Sequence, residues 1–281
     1  MKISVFTVCM PEFTPEETVP KLREWGADGV EWRVTAAPAP GAPVKNFWNG
    51  NRSTVDPAVI VEQAPALRAL ARRHKLATPA LAGYYGYAEV AVVERMMEAA
   101  VILGAKGVRV GVARYDGKTP YPKVLSQAAK GWEKIVKLGR KYGVRPLAEI
   151  HMGTIVPSAS AMGRFVSHFA AGEVGVIHDV GNMICEGKEN WQMGLEILGP
   201  YLAHVHVKNG SWSIRRGDPD GNLQWEYESD TLRRGAVNWN EVIAALRSVK
   251  YNGWLSLEDF APGNTETKIK EDIAYLRQLL K

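Results

Sequence analysis

Cysteine is nearly absent from this chain. Its 281 residues include two, Cys9 and Cys185, with no CxxC spacing, which excludes a disulfide framework and a Cys-rich structural zinc site. No apolar stretch approaches the roughly 18–20 residues of a membrane span. Lys and Arg are spread along the chain without a dense run, so neither a membrane nor nucleic acid is expected as partner. The formal charge of +5 and isoelectric point near 9.1 suit an anionic small molecule without requiring one. The stretch Met1–Phe13 has one lysine, breaks at Pro11 and lacks a small-residue cleavage site; it reads as a first strand, and a reduced cytoplasmic setting is expected. No glycine-rich phosphate fingerprint follows that strand, which counts against an open dinucleotide-binding sheet.

What is present is an alternation of strand-like and helix-like segments. KISVFTV precedes a helical pattern that begins at Thr14, a candidate N-cap with Glu17 completing a capping box. GADGVEWRV is the second strand. Helical patterns at 57–74, 89–103, 123–142, 158–171, 191–201, 239–250 and 266–280 separate LATPALAG, GVRVGVA, PLAEIH, VGVIHD, AHVHVK and WLSLEDF. Eight strand–helix units without a composition break predict one domain over 1–281, a parallel (β/α)8 TIM barrel ringed by helices. Two segments exceed ordinary connectors: 36–56 after the second strand and 211–238 after the seventh, whose DPDGN turn predicts a hairpin.

Four of the later strands end on a potential metal ligand: Glu149, Asp179, His206 and Glu258. A carboxylate or imidazole at the end of an apolar run is costly to bury unless paired or bound to a cation. Any one of them alone reads as a hydrogen-bonded strand-end group; four in succession, at the barrel end where active sites lie, point to one shared cation. Three carboxylates and one imidazole suit Mn²⁺ best, with Mg²⁺, Co²⁺ or Zn²⁺ as alternatives.

The pieces GADGVEWR, LGAKGVRVGVA, LAEIH, HDVGNM, HVHVKN and LSLEDF together resemble the xylose isomerase-like barrel superfamily of sugar and sugar-phosphate isomerases and epimerases. The resemblance spans the whole chain. It implies that Glu149, Asp179, His206 and Glu258 hold the metal and that Glu149 and Glu258 also flank the reacting carbon as acid/base groups. It implies proton transfer next to a carbonyl of a ketose or keto-sugar, through an enediolate chelated by the metal. The chain departs from the pattern at Asn182, where many epimerases have histidine, and at Asn209, where aspartate is frequent.

Further candidates surround the quartet. His151 lies inward past Glu149, as an acid/base group or as support for a ligand. His204 is deeper and orients a ligand or fills a polar layer, whereas His178 falls on the helix side. Arg109 interrupts an apolar strand, either to hold a substrate group or to pair with Glu31 or another inner carboxylate. Lys208, Asn182, Tyr84 and Trp48 are expected in the substrate pocket. Competing readings are a lyase of the same chemistry acting on 3-keto-glycosides, like the catalytic subunit of C-glycoside-deglycosylating enzymes and accompanied by a small partner subunit; a non-catalytic sugar-binding barrel; and an abasic-site nuclease, which would need more histidines. The segment 211–238, suited to a lid or an oligomer contact, and the resemblance suggest a homo-oligomer.

Overall fold

The computed structural model describes residues 1–281. Strand β1 (Lys2–Phe6) lies parallel to β2 (Gly29–Val34), and the pattern continues through β3 (Ala80–Gly86), β4 (Gly107–Gly111), β5 (Arg145–Glu149), β6 (Gly175–Asp179) and β7 (Leu202–Val207). A two-stranded antiparallel hairpin, β8 (Asn209–Gly217) and β9 (Leu223–Asp230), intervenes before the eighth barrel strand, β10 (Trp254–Leu257). The last strand pairs with both β7 and β1, closing an all-parallel barrel in the order β1-β10-β7-β6-β5-β4-β3-β2. Closure leaves no free barrel edge. The chain is thus the expected (β/α)8 barrel.

Helices α1 (Pro15–Glu24), α2 (Ile60–Arg73), α3 (Val90–Leu103), α4 (Tyr121–Tyr142), α5 (Ala159–Val166), α6 (Val180–Glu186), α7 (Trp191–Leu198), α8 (Trp239–Ser248) and α9 (Thr265–Leu279) surround it. The capping box at Thr14 and Glu17 forms as expected. Helix α6 has no counterpart in the sequence pattern: the Asp179 side chain that ends β6 also caps it, accepting from the Asn182 amide at 2.8 Å. Helix α5 ends at Val166, short of the expected stop at Ala171. No helix of the chain is long and apolar enough to cross a membrane.

Alternation along each strand divides the protein into an outer apolar layer, where β-strands meet helices, and a barrel interior. The lower interior is plugged by Ala80, Leu147 and Ile177 with Ala203 packed against them. Leu147 reaches sideways over its neighbours because Gly107 and Gly175 flank it; a Cβ at either would lie 2.5 Å from a Leu147 methyl. Above this plug the interior turns polar. Ser4, Glu31, Arg109, His204, His206 and Ser256 are all buried there, beneath a cavity at the C-terminal mouth.

Candidate metal centre

Each member of the quartet arrives from a different strand. Glu149 ends β5, Asp179 ends β6, His206 lies on β7, and Glu258 follows β10, where its amide donates to the Val207 carbonyl at 2.9 Å. One ligand atom from each residue lies within 4.8 Å of the others, and the four are at most 8% exposed. His206 Nδ1 is 2.8 Å from Glu149 Oε1, 3.6 Å from Asp179 Oδ2 and 3.8 Å from Glu258 Oε2. The face of β5 predicted to point inward therefore does so, with Leu147 below and Glu149 above.

Two cations balance this negative cluster. Lys208 Nζ stands 2.8 Å from Asp179 Oδ2 and also hydrogen-bonds Glu258. The Lys208 ammonium is the close partner of the buried Asp179 Oδ2, with His206 Nδ1 next at 3.6 Å. Lys208 can lie flat across α6 because Gly181 has no side chain; a Cβ there would sit 2.2 Å from the lysine Cγ. Arg109 Nη1 pairs with Glu149 Oε2 at 2.9 Å, and its Nε donates to the Gly83 carbonyl at 3.0 Å. Arg109 thus pairs with an inner carboxylate, Glu149 rather than Glu31, while also lining the cavity.

These surroundings push the carboxyls apart. Burial raises Glu149, but the Arg109 guanidinium and His206 outweigh it and hold this group well below the usual range. Burial likewise works against Asp179, yet Lys208 keeps it lowered. For Glu258 burial prevails over Lys208, and its affinity for a proton is raised. His206 is opposed by burial but lies among Glu31, Asp179 and Glu149, which raise it well above the ordinary histidine value.

Above the quartet opens a cavity of about 730 Å³. Its wall includes the predicted Glu149, His151, Asn182, Lys208, Glu258, Tyr84, Trp48 and Arg109; Asp179 and His206 lie beneath the floor. His151 Nδ1 is 2.7 Å from the Met152 carbonyl, which only accepts, so Nδ1 donates and Nε2 is the ring nitrogen left for a substrate. Asn182 donates to the Ile150 carbonyl at 3.1 Å, leaving its buried Oδ1 unpartnered. The Tyr84 ring lies between two guanidiniums, Arg33 at 5.0 Å and Arg109 at 4.6 Å. Trp48 packs on Phe260 at 5.1 Å and is half exposed at the rim.

Sequence reasoning missed Phe260, Arg114, Tyr227 and Ser229 as cavity residues and Arg33 beside Tyr84. Phe260 had a signal, sharing a strand face with Glu258. Arg33 had one too, since Glu31 and Arg33 are charges two apart in the apolar run GVEWRV. His204 meets Glu31 at 3.0 Å and so belongs to the polar layer; His178 packs edge-on to Trp191 at 6.4 Å on the helix side. Asn209 has a chemical reason to be an amide: Nδ2 donates to the Leu232 and Val237 carbonyls while Oδ1 accepts from the Val237 and Gly210 amides. An aspartate cannot do both.

Residues 19–279 match the sequence profile of the xylose isomerase-like TIM barrel. The chain belongs to that family. Among solved structures it resembles 3-keto-D-glucoside 4-epimerase from E. coli, with 16% identity, 99% of each chain covered and a TM-score of 0.72. D-psicose 3-epimerase from Clostridium cellulolyticum H10, solved with D-tagatose, is 14% identical over 100% of both chains, with a TM-score of 0.73. A xylose isomerase-like barrel from Mycobacterium smegmatis, solved with magnesium, is 16% identical over 99% of this chain and 96% of the other, with a TM-score of 0.71. No curated protein sequence matches the chain.

Proposed function

We propose that the protein is a divalent-metal-dependent sugar isomerase or epimerase that acts on a ketose or keto-sugar. The observation that carries this reading is the convergence of Glu149, Asp179, His206 and Glu258 within 4.8 Å under a large cavity. Hard anionic oxygens with one imidazole fit Mn²⁺ best, with Mg²⁺, Co²⁺ or Zn²⁺ as alternatives. When bound, such a cation supplies electrophilic stabilisation for the negative charge that grows on a carbonyl oxygen as the neighbouring carbon loses its proton.

The chain's own residues supply the rest. Glu149 and Glu258 face the cavity from β5 and β10 and are suited to opposite halves of a proton transfer. Glu149, kept ionised by Arg109, takes the proton; Glu258, with the higher proton affinity, returns one. His151, with Nδ1 engaged by the Met152 carbonyl, leaves Nε2 to relay a proton of a substrate hydroxyl. Lys208, Asn182, Tyr84 and Trp48 surround the sugar, with the half-exposed Trp48 at the rim offering an aromatic surface to its C–H groups. Incubation in D₂O with a panel of ketoses and 3-keto-glycosides tests the reading. Chelator-sensitive entry of deuterium next to the carbonyl is expected; no exchange with any of them would overturn it.

A second reading is supported by the size and lining of the cavity. A volume of about 730 Å³, with Trp48, Tyr84 and Phe260 in its wall, exceeds the needs of one sugar ring and accommodates an aglycone. Elimination from a 3-keto-glycoside, with His151 as base and a small partner subunit, uses the same residues. Release of a free aglycone, with co-purification of a second chain, would select it over epimerisation.

A further inference from the structure

Beneath the quartet lies a second polar group that faces neither the cavity nor solvent. Its centre is Glu31, on β2, whose side chain is fully buried. Three donors surround this carboxylate. Ser256 on β10 hydrogen-bonds Oε2, His204 Nε2 is 3.0 Å from Oε2, and His206 Nε2 is 3.3 Å from Oε2 and 3.4 Å from Oε1. An ionised carboxylate only accepts, so each of these contacts places a proton on the partner. Without a cation Nδ1 also meets a carboxylate, Glu149 Oε1 at 2.8 Å; with the ring hydrogen held on Nε2 by Glu31, the atom left to give its lone pair to a cation is Nδ1. That is the atom which faces Glu149, Asp179 and Glu258.

The ring has little freedom to do otherwise. Phe6 stacks against His206 at 5.6 Å and 26°, and His204 meets it edge-on at 5.4 Å. Glu31, His204 and His206 are close enough together to form a three-ligand site themselves. Their facing atoms are already joined by hydrogen bonds, however, with Ser256 occupying a further direction, and none of the three lines the cavity. The group has the form of a buried support for one ligand.

We propose that Glu31 is a positioning residue of the metal centre: its contact with Nε2 fixes the tautomer and orientation of His206 so that Nδ1 is presented to the cation, and Ser256 and His204 hold Glu31 in place. The inference rests on the reading that the quartet binds a divalent cation. Hydrogen-bond partners of ligating histidines act in this way generally, and their loss weakens metal binding by about 10- to 100-fold.

The test is direct titration of chelator-stripped full-length protein with Mn²⁺, followed by calorimetry, together with the visible spectrum of the Co²⁺ form. Glu31→Gln retains the size of the side chain but offers an amide donor that favours the opposite tautomer. Its Kd for Mn²⁺ is expected to rise about 10- to 100-fold, with an altered Co²⁺ spectrum and unchanged far-ultraviolet dichroism. Glu31→Asp, which restores the acceptor, is expected to recover part of the loss. Equal Mn²⁺ affinity and an identical Co²⁺ spectrum in Glu31→Gln and wild type would overturn the proposal. Should Glu31→Gln not fold, Ser256→Ala decides: a few-fold weaker Kd supports the role, and an unchanged Kd rejects it. Wild-type protein that binds none of Mn²⁺, Mg²⁺, Co²⁺ or Zn²⁺ rejects the metal reading itself, and the role of Glu31 with it.

Discussion

Two buried acidic clusters lie back to back at the end of β10, separated by one peptide bond. Glu258 points into the barrel, where it joins Glu149, Asp179, His206 and Lys208. Asp259 points outward, where it meets Lys268 of α9 at 3.4 Å and lies beside Asp272. Each cluster contains carboxylates and a lysine, and each is almost fully buried. They differ in what they face. The inner carboxylates come from separate strands and converge beneath a cavity; the outer ones are sealed between the last strand and one helix, with Lys268 also bonded to the Ala261 carbonyl. Strand alternation thus sends identical chemistry either to a ligand or to helix docking.

The sharpest way to break the comparison is to neutralise the two neighbours separately. Glu258→Gln should lower kcat by about 10²–10⁴-fold, as expected for loss of an acid/base group, with folding intact. Asp259→Asn should leave kcat within a few-fold of wild type and show its effect in Tm. Solvent-deuterium exchange and thermal scans on both proteins decide, and equal loss of activity would end the distinction.

Metal removal comes next in size. A chelator should abolish exchange, and Mn²⁺ should restore it. Mn²⁺ at about 100 times its Kd should stabilise the fold by about 2.7 kcal/mol, raising Tm by several degrees. Because the proton on His206 competes with the cation, metal affinity should increase with pH. The Asp259→Asn variant should retain the full Mn²⁺ response and Glu258→Gln only part of it.

The outer cluster has its own pH signature. Burial, reinforced by Asp259, raises Asp272 from 3.8 to about 8. The folded protein therefore keeps a proton that the unfolded chain has released, and stability contributed by this group declines as pH rises from 3.8 to about 8. Asp272→Asn should remove that slope, so its Tm relative to wild type is most favourable above about pH 8 and least favourable below about pH 4. A constant difference across that range would contradict the assignment. The smallest effect concerns the cavity rim: Trp48→Ala should raise KM about two- to tenfold, the worth of one aromatic contact, with little change in kcat.

The four ligand positions were legible because each is a polar residue at the end of an apolar strand, and alternation alone sends Glu149, His206 and Glu258 to one side. The hairpin was legible from DPDGN, where Asp218 accepts from the amides of Asp220 and Asn222. The pairing among inner residues was not. Whether Arg109 meets Glu31 or Glu149, and whether Lys208 turns toward substrate or toward Asp179, depends on barrel register. That register includes an irregularity between β6 and β7, where Val176 opposes Leu202 but Ile177 opposes His204. Helix α6 is hidden for a related reason, since the strand-end Asp179 that reads as a ligand also serves as its cap.

The hairpin β8–β9 pairs only with itself, and its two ends, Asn209 and Asp230, face each other across the ladder. The ring of barrel hydrogen bonds passes directly from β7 to β10 without it. Yet Tyr227 and Ser229 on its return strand form part of the cavity wall. In engineering terms the segment is an exchangeable cassette with adjacent splice points. Replacing it should reshape the wall against which a substrate rests while the closed barrel and the four ligand positions stay as they are.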